Sequence, residues 1–227
     1  MHPNLIRKIT GEALGSMFLL TAVVGSGIMA ERLADGNVAL ALLANAIATG
    51  ATLIALILAF APISGAHFNP AVTLAEAWQR KLSWLHAATY VFAQVLGAFA
   101  GVALAHLMFQ LPIFFSSSHE RTGASQWIAE LIATFGLVGV MATTARHSPR
   151  ATPYAVGAFI TAAYWFTSST SFANPAVTLA RAATDTFTGI RPVDVPAFLI
   201  AQLAGAFLAA ITFGWLMSVP SAPKERP

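Results

Sequence analysis

The heptapeptide NPAVTLA occurs twice in this chain, at residues 69–75 and again at 174–180. Seven identical residues do not recur by chance within 227, so two copies of one unit are built into the chain. The flanks repeat as well. Glu12 with Ser16 precedes the first copy and Glu130 with Thr134 the second, while AQVLGAF from Ala93 is echoed by AQLAGAF from Ala201. The copies cover about residues 8–110 and 124–218 of a single domain, 1–227.

Composition sets the medium in which these copies fold. Hydrophobic residues make up 57 % and charged residues 9 %, against about 25 % charged in an ordinary soluble domain. With a mean hydropathy of +0.70 the chain has too little polarity to cover itself with a water-facing surface. It contains no cysteine, which excludes a disulfide scaffold, thiol redox chemistry and Cys-ligated metals. A net charge of +3 is too small to argue for nucleic acid. The class is an integral membrane protein.

A helix needs about 20 apolar residues to cross the hydrocarbon core. Six stretches reach that length, at residues 9–30, 38–60, 84–109, 125–144, 153–170 and 195–217. They are rich in small residues, such as Gly97, Ala98, Gly101, Gly205 and Ala206, which let helix backbones approach closely in lipid. Segments 61–78 and 168–183 are apolar but broken by Gly, Ser, Asn and Pro, and too short to cross. They are predicted to re-enter the membrane from one side, as irregular backbone does where it lines a polar cavity. Three spans per copy is an odd number, so the second copy enters the membrane from the opposite side. The expected fold is all-α, with six transmembrane helices and two re-entrant half-helices in an inverted 3+3 repeat.

Orientation follows from the basic residues. Arg7, Lys8, Arg80, Lys81, Arg146, Arg150, Lys224 and Arg226 fall on one side, and Arg32, Arg121, Arg181 and Arg191 on the other. Eight against four places both termini in the cytoplasm of a cell inner membrane.

The repeated motif also says what the two copies do together. Pro70 and Pro175 suit the first helical position, where a missing N–H costs nothing, and Asn69 and Asn174 suit the caps before them. Two half-helix N-termini then face each other at mid-membrane, each carrying roughly half a positive charge. Cations meet a barrier there, while the Asn amides can donate to a passing oxygen. The expected function is a passive pore for small neutral oxygen-bearing solutes.

With both NPA motifs (Asn69-Pro70-Ala71 and Asn174-Pro175-Ala176), the run SGAHFNPAVT at residues 64–73 and a Glu opening spans one and four, the chain resembles the aquaporin, or major intrinsic protein, family over nearly its whole length. The resemblance implies a homotetramer in the lipid bilayer with one pore per subunit, no cofactor and no enzymatic activity. It also points to the positions of a narrow outer filter, and here the chain departs from the family. The position after the second NPA, usually Arg, is Val177. The second-span position, usually aromatic, is Thr49. Three before the second Asn stands Ser171. The fifth-span position is Ala162 by counting back from Asn174, or Tyr164 by anchoring on Gly157; Tyr164 is preferred because the following loop is two residues short. Such a filter should be wider and less basic than a strict water pore. It resembles the bacterial aquaglyceroporins associated with arsenic resistance, which implies passage of glycerol-like polyols, arsenous acid and methylated arsenicals together with water. The alternative is a water-selective channel.

Four charged or titratable residues carry two readings each. Arg181, one turn beyond Val177, either lines the outer mouth or pairs at the surface with Asp185. Glu12 and Glu130 are carboxylates within apolar spans. They serve either as proton relays of a secondary carrier or, as the resemblance implies, as acceptors for the backbone N–H groups of the re-entrant loops. His67 either gates by protonation or holds its loop.

Overall fold

A computed structural model describes residues 4–218, so Lys224 and Arg226, used above for orientation, lie outside the described residues. The first copy contains α1 (Leu5–Leu33), α2 (Val38–Ser64), the short α3 (Pro70–Trp78) and α4 (Trp84–Met108). The second contains α5 (Ala124–His147), α6 (Thr152–Phe166), the short α7 (Pro175–Arg181) and α8 (Val195–Leu216). Side-chain caps start several of them: the Oδ1 atoms of Asn4 and Asn37 and the Oγ of Ser83 each accept the amide three residues on. Every residue of the described set that joins these helices is in a turn, a 3₁₀ segment or irregular structure.

The two copies pack alike. α1 lies against α4 and α2, α5 lies against α8 and α6, and α2 meets α6 to join the copies. The small residues act where expected. A Cβ placed on Gly97 would run into the Ala13 carbonyl, one on Gly101 into the Met17 carbonyl, and one on Gly205 into the Leu131 carbonyl. Backbones of α1 and α4, and of α5 and α8, therefore touch with no room for a side chain. The outward faces carry exposed large apolar groups, among them Ile47, Phe92, Ile132, Trp165 and Ile200, as lipid-facing helices must.

Two boundaries next to the re-entrant segments differ from the sequence-based expectation. α2 continues through Pro62 to Ser64, where Gly65 takes a left-handed φ of 94°. The first re-entrant segment thus begins four residues later than expected, at Gly65. The fifth span, expected to reach residue 170, ends at Phe166, leaving α6 with 15 residues, about 22 Å at 1.5 Å per residue. Among the described residues five helices are long and apolar enough to cross by themselves; the shorter α6 is extended by a 3₁₀ turn at Pro149–Ala151. The physical reason lies at Thr167. Its backbone is extended, and its hydroxyl takes the Ala163 carbonyl at 2.6 Å, closing the helix so that the chain can turn back into the protein.

Candidate functional site

The two re-entrant loops meet in the middle of the molecule. Asn69 and Asn174 are both nearly fully buried and both extended, with the prolines beside them opening α3 and α7. Each Asn caps its own half-helix. Asn69 Oδ1 accepts from the Ala71 amide at 2.8 Å, and Asn174 Oδ1 from the Ala176 and Val177 amides at 3.0 and 3.3 Å. Each also crosses to the other copy. Asn69 Nδ2 donates to the Ala173 carbonyl and Asn174 Nδ2 to the Phe68 carbonyl, both at 2.8 Å. An amide carries two N–H groups, so each Asn keeps one for the cavity it lines.

The loops before these asparagines are strained. Ala66 and Phe68 in the first, and Thr170, Ser171 and Ala173 in the second, have φ between 47° and 62°. Non-glycine residues adopt such conformations only when their surroundings hold them there. The holding groups are the two glutamates. Glu12 accepts from the His67 and Phe68 amides at 3.0 and 2.7 Å, from Ser64 Oγ at 2.6 Å and from Gln94 Nε2 at 2.7 Å. Glu130 accepts from the Phe172 and Ala173 amides, each at 2.8 Å, and from Gln202 Nε2 at 2.6 Å. Gln94 and Gln202 also reach the hydroxyls of Thr73 and Thr178, at 2.9 and 2.7 Å, tying α4 and α8 to the half-helices. Both carboxylates are completely buried and accept hydrogen bonds from these loop groups, and neither lines the cavity. Gln94 and Gln202 stand in the repeated Ala-Gln pairs of the sequence, but their role becomes visible only in these contacts.

A cavity of about 90 Å³ runs past this centre. On one side it is lined by Thr152, Val156, Met141, Ile57 and the His67 loop. His67 Nδ1 lies 3.0 Å from Thr73 Oγ1, and its ring meets Tyr90 edge-on, so the side chain is engaged within its own copy. On the other side the cavity passes Thr49, Tyr164, Ser171, Val177 and Arg181. Of the two fifth-span candidates, Tyr164 lines the cavity and is buried, whereas Ala162 is exposed. The Tyr164 and Thr49 hydroxyls lie 3.2 Å apart, linking α6 to α2 across the wall. Ser171 Oγ is buried with no partner among the described residues.

Arg181 does not pair with Asp185. It is 2 % exposed, its Nε donates to the Thr188 carbonyl, and its guanidinium lies 3.3 Å from the Phe172 ring centroid. Asp185 turns instead to the loop between α4 and α5. It accepts from the Ser118 amide at 2.7 Å and the Ser118 hydroxyl at 2.9 Å. For Asp185 the surface pair is thus replaced by contacts from residues 67 and 68 positions away. The same loop contributes Arg121, whose Nε and Nη1 donate to the Gly189 and Ser169 carbonyls at 2.7 and 3.2 Å. In the first copy the counterpart of Arg181 is Glu76, which forms a peripheral pair with Lys81 at 2.9 Å.

Comparison with known proteins agrees with this architecture. The profile of the major intrinsic protein family matches residues 1–171 and, overlapping, 149–225. The chain is 54 % identical to the aquaglyceroporin AqpS of Rhizobium meliloti (strain 1021), covering 97 % of this chain and 94 % of that protein. It is 31 % identical to the aquaporin NIP6-1 of Arabidopsis thaliana, over 98 % of this chain and 73 % of that one. Among solved structures, the aquaglyceroporin from Plasmodium falciparum superposes with a TM-score of 0.74 at 23 % identity, covering 92 % of this chain and 96 % of that one; that likeness concerns the fold.

Proposed function

The chain belongs to the major intrinsic protein family of membrane channels, and on that premise we propose that it conducts small neutral polar solutes passively: water, glycerol-like polyols, and arsenous acid with its methylated forms. The observation that carries this reading is the composition of the cavity wall beside the half-helices. Thr49, Tyr164 and Ser171 present hydroxyls, and Val177 presents methyl groups where a strict water pore of this family places Arg. A solute with several hydroxyls on a compact body has acceptors and donors on one side of that wall and an apolar contact on the other. Arsenous acid, As(OH)3, is uncharged at neutral pH and has this character, and a methylated arsenical adds a methyl for Val177.

The half-helix N-termini disfavour cations at the centre. Glu12 and Glu130 are occupied by loop amides, so a carrier mechanism coupled through them has no group to work with. Proposed with the channel are a homotetramer, one pore per subunit, and a cell inner membrane with both termini cytoplasmic. Of the four opposing arginines, Arg121 and Arg181 are turned inward onto Phe172, and Arg191 is paired with Asp194 at 3.0 Å and Glu120 at 3.2 Å.

Purified protein in liposomes tests the reading by osmotic light scattering, with arsenous acid followed by direct arsenic determination. Influx of glycerol and arsenous acid well above that of protein-free vesicles, unaffected by a proton gradient, is the expected result. Fast water flux with both solutes at background would make the protein a water-selective channel, with Tyr164 as the side chain that narrows it. Uphill uptake that collapses with the proton gradient would refute a passive channel.

A further inference from the structure

Replacing the filter arginine by Val177 does not leave this part of the cavity without a cation. Arg181 stands four residues on, on the same face of α7. Side chains on a helix lean toward its N-terminus, so the Arg181 stem runs back over the turn that holds Val177. The contact with Phe172 fixes where it arrives. Phe172 directly follows Ser171, which lines the cavity beside Val177, and the Arg181 guanidinium is stacked on that ring, 3.3 Å from its centroid.

A guanidinium carries five N–H donors. The Nε donor of Arg181 goes to the Thr188 carbonyl, and among the described residues the two Nη groups have no hydrogen-bond partner. A buried charge without partners is costly, and the residue is 2 % exposed yet lines the cavity. Among the described residues no carboxylate forms an ion pair with it, since Asp185 is hydrogen-bonded to Ser117 and Ser118, and Glu130 to the loop amides. Arg121, the other guanidinium on Phe172, is anchored by its Nε and Nη1 donors to the Gly189 and Ser169 carbonyls.

We propose that Arg181 is a displaced filter arginine: its Nη groups donate to the oxygens of the permeating solute beside the Val177 methyls, and its charge keeps cations out of the widened opening. This rests on the channel reading above and deepens it. The favoured substrate class is then a neutral solute that carries hydroxyl oxygens next to an apolar portion. Val177 contributes width and Arg181 contributes charge and donors, two tasks that a single Arg after the NPA motif would combine.

The test uses liposomes carrying the full chain, with glycerol, water and K⁺ permeabilities measured on the same preparations for wild type, Arg181→Gln and Arg181→Lys. Ratios to water flux make the result independent of how much protein inserts. Wild type should show K⁺ permeability at background. Arg181→Gln should raise the K⁺-to-water ratio at least ~10-fold and lower the glycerol-to-water ratio. Arg181→Lys keeps the charge without the planar fork, so it should hold K⁺ at background while the glycerol-to-water ratio still falls. Wild-type ratios in Arg181→Gln would overturn the proposal. Should that variant fail to insert, an unchanged glycerol-to-water ratio in Arg181→Lys would overturn it instead. Absence of glycerol flux in wild type would count against the channel's assigned solutes, and the K⁺ ratios would still decide the role of the charge.

Discussion

Glu130 holds the second re-entrant loop in a conformation that its own backbone disfavours, and Glu130→Gln measures how much depends on that carboxylate. The carboxylate accepts three hydrogen bonds in a completely buried site, from the Phe172 amide, the Ala173 amide and Gln202 Nε2. Glutamine keeps the shape but replaces one acceptor oxygen by an NH₂ group, which then faces a donor. At least one charge-assisted bond, worth about 1.5–3 kcal/mol, is lost, and a buried donor is orphaned at a further ~1–3 kcal/mol. The sum is about 2.5–6 kcal/mol. For a chain of this length each kcal/mol lowers the thermal midpoint by roughly 2–4 °C, so a fall on the order of 10 °C is expected in detergent, followed by tryptophan fluorescence. Glu76→Gln is the matched control. It removes a peripheral pair with a half-exposed lysine, a change of about 1 kcal/mol or less. The left-handed residues Ser171 and Ala173 sit at the cavity wall and the central crossing, so glycerol flux should fall along with the midpoint. A Glu130→Gln protein with wild-type midpoint and wild-type flux would refute the view that this carboxylate holds the loop.

Val177→Arg should reduce glycerol influx at least ~10-fold while water flux falls much less, because a second guanidinium enters a space that Arg181 already borders; at ~6 Å and an effective dielectric of ~20 their repulsion is about 3 kcal/mol. Equal reduction of both fluxes would argue against a size-selective wall. Gly97→Leu should abolish assembly, since its side chain meets the Ala13 backbone, whereas Gly214→Leu, with nothing within 4 Å, should run normally in size-exclusion chromatography. Asp185, outside the spanning helices, is held below the usual carboxylate range, chiefly by the Ser118 amide, with the Ser118 hydroxyl, His119 and Ser117 assisting and slight burial opposing. A depressed carboxylate contributes stability that is fully present above its unfolded pKa near 4 and is lost as pH falls through the lower folded value. The tie on loop 109–123 should therefore persist at pH 5 and loosen below about pH 4. Asp185→Asn should already be cleaved faster than wild type by a protease at pH 7, and the gap between the two should narrow as the assay pH is lowered below about 4. Lastly, a chain with no cysteine should conduct water at an unchanged rate in the presence of mercurials.

The parts of this molecule legible from sequence are those written in short-range patterns. The repeat and the Asn-Pro caps led to two half-helices, and the small residues led to the helix contacts at Gly97 and Gly205. What remained open depended on chain segments far apart. Asp185 stands at the i+4 position from Arg181, and local spacing made them partners; the serines that claim Asp185 lie 67 and 68 residues away. The end of α6 was misplaced because Thr167 reads as one more residue in an apolar run, while its hydroxyl and extended backbone stop the helix. Gln94 and Gln202 were visible as repeated letters, but their task depends on carboxylates 82 and 72 residues away.

The crossed bonds from Asn69 to Ala173 and from Asn174 to Phe68 have a consequence for biosynthesis. Asn69 Nδ2 binds a carbonyl 104 residues further along the chain. At 5–20 residues per second, a ribosome needs about 5–20 s to deliver that partner after Asn69 itself has emerged. Throughout that interval the first loop has its capped half-helix and Glu12, but no acceptor for the Asn69 amide and no donor for the Phe68 carbonyl. The nascent first half must either wait at the aqueous face of the insertion machinery or hold water where the second loop will later dock. Insertion of the second half is thus the event that dries and closes the centre, and a chain released before residue 174 has no means of sealing it.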